Sequence, residues 1–257
     1  MLLLGSSAGR EAAYRHALRI LRARTLPARV HRELGIVLHR TRPGTLEFTQ
    51  EAGSEAGLRG EALLTRSAAI YFLACAVNLG DDLSDGDCSY LENPNRTGPC
   101  IQALLRNLCF SVLFDAHLPH DALAAASRHL IAAAAAQRLE IGRESWDAAA
   151  FRTVADGIGG QLFAAYLRLL WCGTRLYSRA APVGKYVGRA LIVVEDAGTG
   201  DPRYTSMPRG ERRKILLWAL EAMKTLRDEK LRCLEYVLRP IEPALRTRLR
   251  AATSAPA

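Results

Sequence analysis

From Ser67 to Gly80 the chain is nearly all apolar, and it then passes abruptly into Asp81-Asp82-Leu83-Ser84-Asp85-Gly86-Asp87. A run of that length without strand-like alternation predicts a buried helix. Around it the hydrophobic spacing is helical almost everywhere. Gly9 to Arg24 is amphipathic, with Ala13, Leu18, Ile20 and Leu21 set among basic residues. A second helix runs from about Ala28 to His39, and Pro43 opens a third through Leu46, Phe48 and Ala52. Residues 53–60 read as a loop and 88–98 as turn-rich, with Pro99 opening a helix to about His117. Pro119-His120-Asp121 caps a helix containing the helix-forming run Ala132 to Ala136. Residues 144–170 form a long apolar stretch interrupted at Gly157 and Gly159-Gly160. Pro182 starts a helix through Ala190 and Val194, and Pro208 with Glu211 opens the last long one, through Trp218 to Leu238, before Pro240 and a short tail helix. Strand signals are almost absent. The pattern predicts an all-α protein, one domain over residues 1–257, with 1–8 and 252–257 disordered.

The acidic stretch adds chemistry to this pattern. Asp81 and Asp85, spaced i, i+4, share one helix face, with Asp82 beside them. Like charges at that spacing cost a few tenths of a kcal/mol per pair, and the negative helix end adds about 0.3–1 kcal/mol per charge. A cation offsets this, and oxygen-only ligands suit Mg²⁺, which takes few carboxylates and completes its shell with water and phosphate oxygens. A solvated acidic helix end is the plainer alternative, but the long apolar lead-in argues for a cavity. Glu195 and Asp196 likewise follow an apolar run, with Asp201 soon after. Either they begin an exposed turn, or the two clusters face one another across a helical bundle, a normal place for a metal site.

Composition narrows the classes. At 257 residues and 49% hydrophobic the chain can bury a full core. Six cysteines show neither CxxC nor zinc spacing, which points to reduced core thiols in a cytoplasmic protein. No signal peptide is expected, and no apolar run reads as long enough to span a membrane. Residues 1–43 hold nine Arg against two Glu and residues 202–257 thirteen Lys/Arg against six acids, which leaves residues 44–201 at −5 within the total of +9. An acidic middle between basic ends fits a metal cavity with an anionic substrate. Nucleic acid is disfavoured by 7% aromatic content and the lack of any nucleic-acid motif.

These residues together resemble the trans-type polyprenyl diphosphate synthase family, whose fold is shared with class I terpene cyclases. Its DDxxD motif matches Asp81, Asp82 and Asp85. An Arg-Arg-Gly-x-Pro segment is similar to Arg96-Thr97-Gly98-Pro99, with one Arg missing, and Gly-Lys-Arg-x-Arg-Pro to Leu38-His39-Arg40-Thr41-Arg42-Pro43. A central Gly-Gln pair falls on Gly160-Gln161, a Lys-Thr pair near Gly173-Thr174 with its Lys gone, the second DDxxD on Glu195-Asp196 with Asp201 displaced, and Lys-x-Thr-x-Pro on Arg203-Tyr204-Thr205. The resemblance covers about residues 30–210. It implies a single large helical bundle of the isoprenoid synthase type with a central cavity, and a homodimer. It also implies three Mg²⁺ ions on Asp81, Asp82, Asp85, Glu195, Asp196 and Asp201. Asp81, Asp82, Asp85 and Asp196 are then catalytic, and Arg40, Arg42, Arg96, Gln161 and Arg203 bind the prenyl diphosphate. Its ionisation leaves a carbocation that needs an apolar pocket. Tyr71, Phe72, Phe163, Tyr166 and Trp218 are candidates to line it, though for any one of them core packing is the plainer reading.

Chain elongation requires a second cationic cluster for isopentenyl diphosphate. In the family it uses the early Lys, here His39, a helix His, here Ala74, a tandem Arg of which only Arg96 remains, and Arg42. This erosion favours intramolecular cyclisation, with chain elongation as the alternative and a non-catalytic isoprenoid-binding or partner subunit as the third reading.

Overall fold

The computed structural model describes residues 7–41 and 44–254, which form twelve α-helices and no strand, as the spacing predicts. The helices fall into two compact units, one ending at Leu118 and the other beginning at Pro119.

The N-terminal unit holds α1 (Ser7–Arg22), α2 (Ala28–Arg40), α3 (Gly44–Glu55), α4 (Gly60–Asp85) and α5 (Pro94–Asp115). α4 is its axis. Every residue from Ser67 to Ala76 is buried, on all faces of the helix, because α1, α2, α3 and α5 pack around it. Ile70, Phe72 and Leu73 are at most 1% exposed and contribute about 1.5–3 kcal/mol each. α4 is long and apolar enough to cross a membrane, contrary to the sequence expectation, but most of that stretch lies inside the unit. Three boundaries also differ. α3 continues through Gly53 to Glu55, so the following loop is only Ala56 to Arg59. α5 opens at Pro94, five residues before Pro99, which sits inside the helix on its exposed side. Ser7 and Ala8, expected to be disordered, belong to α1, whose buried Ala13, Ala17 and Leu21 seat the whole helix.

The C-terminal unit holds α6 (His120–Glu140), α7 (Ala148–Ala155), a π-helical turn (Asp156–Gly160), α8 (Gln161–Trp171), α9 (Ala180–Thr199), α10 (Pro202–Thr205), α11 (Arg209–Asp228) and α12 (Arg232–Ser254). The glycines expected to interrupt the chain widen the helix by one π turn, and it continues directly into α8. They also let α9 approach: a Cβ on Gly188 would lie 2.0 Å from the Gly159 carbonyl oxygen, and one on Gly184 2.5 Å from that of Phe163. α11 ends at Asp228, ten residues before the expected Leu238, and Lys230 turns the chain with φ 52°. α12 then continues through Pro240 and Pro243, with Ile241 and Leu245 buried one turn apart across Pro243 and holding the helix in place. Residues 252–254, expected to be disordered, continue α12, while 1–6 and 255–257 lie outside the described residues.

Candidate active site

α4 carries its helix through all three aspartates of the first cluster. Gly86, at φ 79°, closes it with a left-handed cap, and the Gly86 and Asp87 amides both donate to the Asp82 carbonyl. α5 braces this last turn. Gln102 lies against Gly80, where a Cβ would fall 2.2 Å from Nε2, and it donates to the Ala76 carbonyl at 3.1 Å. Leu83 packs on Gly98, whose Cβ would meet it at 2.7 Å.

On this braced turn Asp81 and Asp85 are exposed and Asp82 is half-buried. The Tyr90 hydroxyl donates to Asp82 Oδ2 at 2.6 Å, and the Arg40 guanidinium lies over the Tyr90 ring, 5.2 Å from its centroid. Burial, reinforced by the Asp82 carboxylate, pushes the Tyr90 hydroxyl above its ordinary pKa, so it remains a donor. Arg40 and the first cluster, expected to act together, are thus joined through Tyr90, which the sequence reading missed. Arg42 lies outside the described residues. Arg96 and His39 are exposed, and Ala74 is buried at 3%. No three His, Cys, Asp or Glu side chains among the described residues form a metal cage by themselves. Exposed carboxylates on one helix end nonetheless suit Mg²⁺, which needs only one or two and takes its other ligands from water and phosphate. The residues of the first cluster fit the ion.

The second cluster is built differently. α9 also runs through its acids, to a left-handed cap at Gly200 (φ 76°), whose amide donates to the Asp196 carbonyl. Glu195 is exposed, but Asp196 is 2% exposed, so these acids do not begin an exposed turn. Asp201 caps α10 by accepting the Arg203 amide at 2.8 Å. The Arg203 guanidinium reaches back among the carboxylates. Its Nη2 donates to Asp196 Oδ1 at 2.9 Å, and its Nε lies 2.7 Å from Asp196 Oδ2, close but poorly aligned for a hydrogen bond. Nη1 pairs with Glu140 of α6, and Asp201 Oδ1 is 3.4 Å from Nε. Burial pushes Asp196 up to about 7 against the pull of Arg203. Burial alone would lower Arg203, but the surrounding carboxylates raise it overall and keep it charged. Asp196, Asp201 and Arg203 are brought together as expected, yet they do not fit a divalent ion as they stand, because a cation already sits among them. Glu140, 63 residues from Arg203 along the chain, left no signal in the sequence.

Gln161, expected to bind substrate, opens α8 with its Oε1 2.5 Å from His129 Nδ1 of α6. Tyr71, Phe72 and Tyr166 are at most 3% exposed, and the Tyr71 hydroxyl is spent on the Leu38 carbonyl, so these rings serve the core. Trp218 carries the Arg189 guanidinium 4.2 Å above its ring, and Asp156 grips the same Arg189 through two 3.0 Å bonds. A cleft of about 650 Å³ between α11 and α12, lined by Arg227, Lys230, Glu242 and Arg246 among others, contains none of the expected site residues.

No protein-family model and no curated protein matches the chain. Solved structures do. A geranyltransferase from Legionella pneumophila superposes with a TM-score of 0.72 at 17% identity, over 95% of this chain and 96% of that one. A geranyltranstransferase from Thermotoga maritima gives 0.72 at 16%, over 94% and 98%. A polyprenyl synthase from Caulobacter crescentus, complexed with calcium and isoprenyl diphosphate, gives 0.65 at 18%, over 96% and 85%. The likeness is one of fold: this chain has the all-α fold of the isoprenoid synthases.

Proposed function

We propose that this chain is a class I isoprenoid synthase that ionises an allylic prenyl diphosphate at the first aspartate cluster and joins the product to a second isoprenoid unit. The observation that carries the reading is the placement of Asp81, Asp82 and Asp85 on the braced last turn of a buried helix, in a fold shared with geranyltransferases. Magnesium bound there supplies Lewis-acid withdrawal of electron density from the diphosphate leaving group. Asp81, Asp82 and Asp85 hold the metal, and Tyr90 fixes the orientation of Asp82 by donating to Oδ2. Arg40, stacked on Tyr90, contributes positive charge for the diphosphate. Substrate-contacting roles for Arg42, Arg96 and Gln161 rest on the family resemblance alone.

The neighbours are described as a geranyltransferase, a geranyltranstransferase and a polyprenyl synthase, and this favours chain elongation over the cyclisation expected from the eroded motifs. One observation supports cyclisation. Ala74, at the family His position, is buried with no side-chain hydrogen-bonding group, and His39, at the Lys position, is exposed and charged only when protonated. Product mass separates the readings. The chain is incubated with C10, C15 and C20 allylic diphosphates, each with and without isopentenyl diphosphate. Prenyl diphosphates longer by five carbons, formed only when isopentenyl diphosphate is present, are the expected result. Hydrocarbons or alcohols formed from the allylic substrate alone establish cyclisation. No turnover under any condition leaves an isoprenoid-binding or partner subunit.

We read residues 1–257 as one synthase domain acting as a cytoplasmic homodimer with no nucleic-acid partner. Five of the six cysteines are buried, as core thiols are.

A further inference from the structure

Metal ions and guanidinium groups compete for the same oxygen atoms, and at the end of α9 the guanidinium is already in place. Arg203 draws its carboxylate partners from three segments: Glu140 at the end of α6, Asp196 in α9, and Asp201 ahead of α10. Its side chain is 19% exposed and that of Asp196 only 2%. Arginine does not deprotonate under any ordinary condition, and here its Nη2 donates to Asp196 Oδ1 at 2.9 Å while its Nε lies 2.7 Å from Oδ2. The group is also tethered, so an incoming ion competes with an intramolecular partner at high effective concentration. Two further contacts hold the tether short: the Arg203 amide donates to Asp201 Oδ1 at 2.8 Å, and Tyr204, the next residue, is buried against Phe151.

We propose that Arg203 is the resident cation of the second cluster, standing where a divalent ion would otherwise bind, so that this chain takes up metal through Asp81, Asp82 and Asp85 alone. The three-ion arrangement implied by the family resemblance then does not carry over to it. The part concerning the first cluster rests on the function proposed above; the part concerning Arg203 stands on its own geometry. The competing behaviour is a swinging Arg203, which leaves the carboxylates for a bound diphosphate and frees them for metal.

The test counts bound ions. Mn²⁺ is titrated into the full chain in the presence of inorganic diphosphate, and free Mn²⁺ is followed by electron paramagnetic resonance. Wild type and D196N bind the same number of ions, whereas R203Q binds one more, and the R203Q/D196N double variant loses that extra ion. A lower count in D196N than in wild type overturns the proposal, because Asp196 then holds metal with Arg203 present. An R203Q variant that folds, by circular dichroism, and gains no ion overturns it as well. Should R203Q not fold, the comparison of D196N with wild type decides alone. D82N serves a separate purpose: an unchanged count in D82N refutes the metal site at the first cluster, while the R203Q comparison still decides the role of Arg203.

Discussion

α4 and α9 each bring an apolar helix to an end in carboxylates, and each is closed by a left-handed glycine, Gly86 in one and Gly200 in the other. Their surroundings differ. At the end of α4, Asp81 and Asp85 face solvent and Asp82 meets the neutral hydroxyl of Tyr90. At the end of α9, Asp196 is buried and shares the guanidinium of Arg203 with Glu140 and Asp201. The same local pattern of apolar run, acids and glycine cap therefore yields one cluster with two of its three aspartates exposed and another folded around a guanidinium. What separates them is a single basic residue seven positions beyond Asp196 and a glutamate from another helix.

The largest effect expected from this contrast is kinetic. D82N keeps an oxygen to accept the Tyr90 hydroxyl but loses the charge, and turnover of a prenyl diphosphate falls by about 10²–10³-fold or more. Its melting temperature stays equal to wild type or rises slightly, since relief of like-charge repulsion is worth a few tenths of a kcal/mol. Steady-state kinetics and a thermal melt check both halves; turnover within a few-fold of wild type removes Asp82 from the chemistry.

Packing beneath the two clusters should differ as well. A Cβ at Gly188 in α9 meets backbone, the Gly159 carbonyl at 2.0 Å, so two helices must move apart and G188A costs about 2–4 kcal/mol. A Cβ at Gly80 in α4 meets only the amide end of the Gln102 side chain, which can swing away. The helix propensity gained from Ala, about 0.5–1 kcal/mol, offsets most of the disturbance in G80A. Urea unfolding of the two variants measures the difference, and equal losses would contradict it.

Stability against pH sharpens the contrast further. In the folded chain Asp196 holds its proton up to about pH 7, whereas in the unfolded chain it releases it near 3.8. The folded state binds the extra proton between those values, so its stability falls as pH rises from about 4 to about 7. In D196N that contribution is missing. The stability of wild type minus that of D196N therefore declines across this window and is level outside it, as measured by denaturant unfolding at stepped pH.

The smallest effect belongs to Tyr90. Y90F removes one partly exposed hydrogen bond to a carboxylate, costs about 1 kcal/mol, and leaves the ring under Arg40 in place. Unfolding of Y90F beside wild type checks this, and a loss of several kcal/mol would make Tyr90 a core residue instead.

Much of the fold was legible because local signals and tertiary packing agree. Ser67 to Ala76 is apolar all round and is buried all round, and α1, α2 and α6 lie within a few residues of where their periodicity puts them. Misplaced boundaries fell where packing overruled a local rule. Pro99 and Pro240 read as helix boundaries and lie inside helices, and Gly157 to Gly160 read as a break but allow a π turn against α9. The placement of Asp81, Asp82 and Asp85 together on one helix end was legible because it depends only on residues near in sequence: i, i+4 spacing and an apolar lead-in. The contacts that define the second cluster were not. Glu140 to Arg203 and His129 to Gln161 join helices whose approach no spacing rule records. Arg203 itself was singled out, but as a ligand of substrate, because a basic residue after an acidic motif carries no mark of which anion it will meet.

The central claim is that the end of α4 is the chain's metal and diphosphate site, and ligand-induced stabilisation tests it most directly. Mg²⁺ with inorganic diphosphate stabilises a folded protein by RT ln(1 + [L]/Kd), about 2.7 kcal/mol at a hundred times Kd. Thermal melts of wild type, D82N and D196N are recorded with and without both ligands. The account predicts a clear rise for wild type and D196N and little or none for D82N; a rise of equal size in D82N and wild type would contradict it.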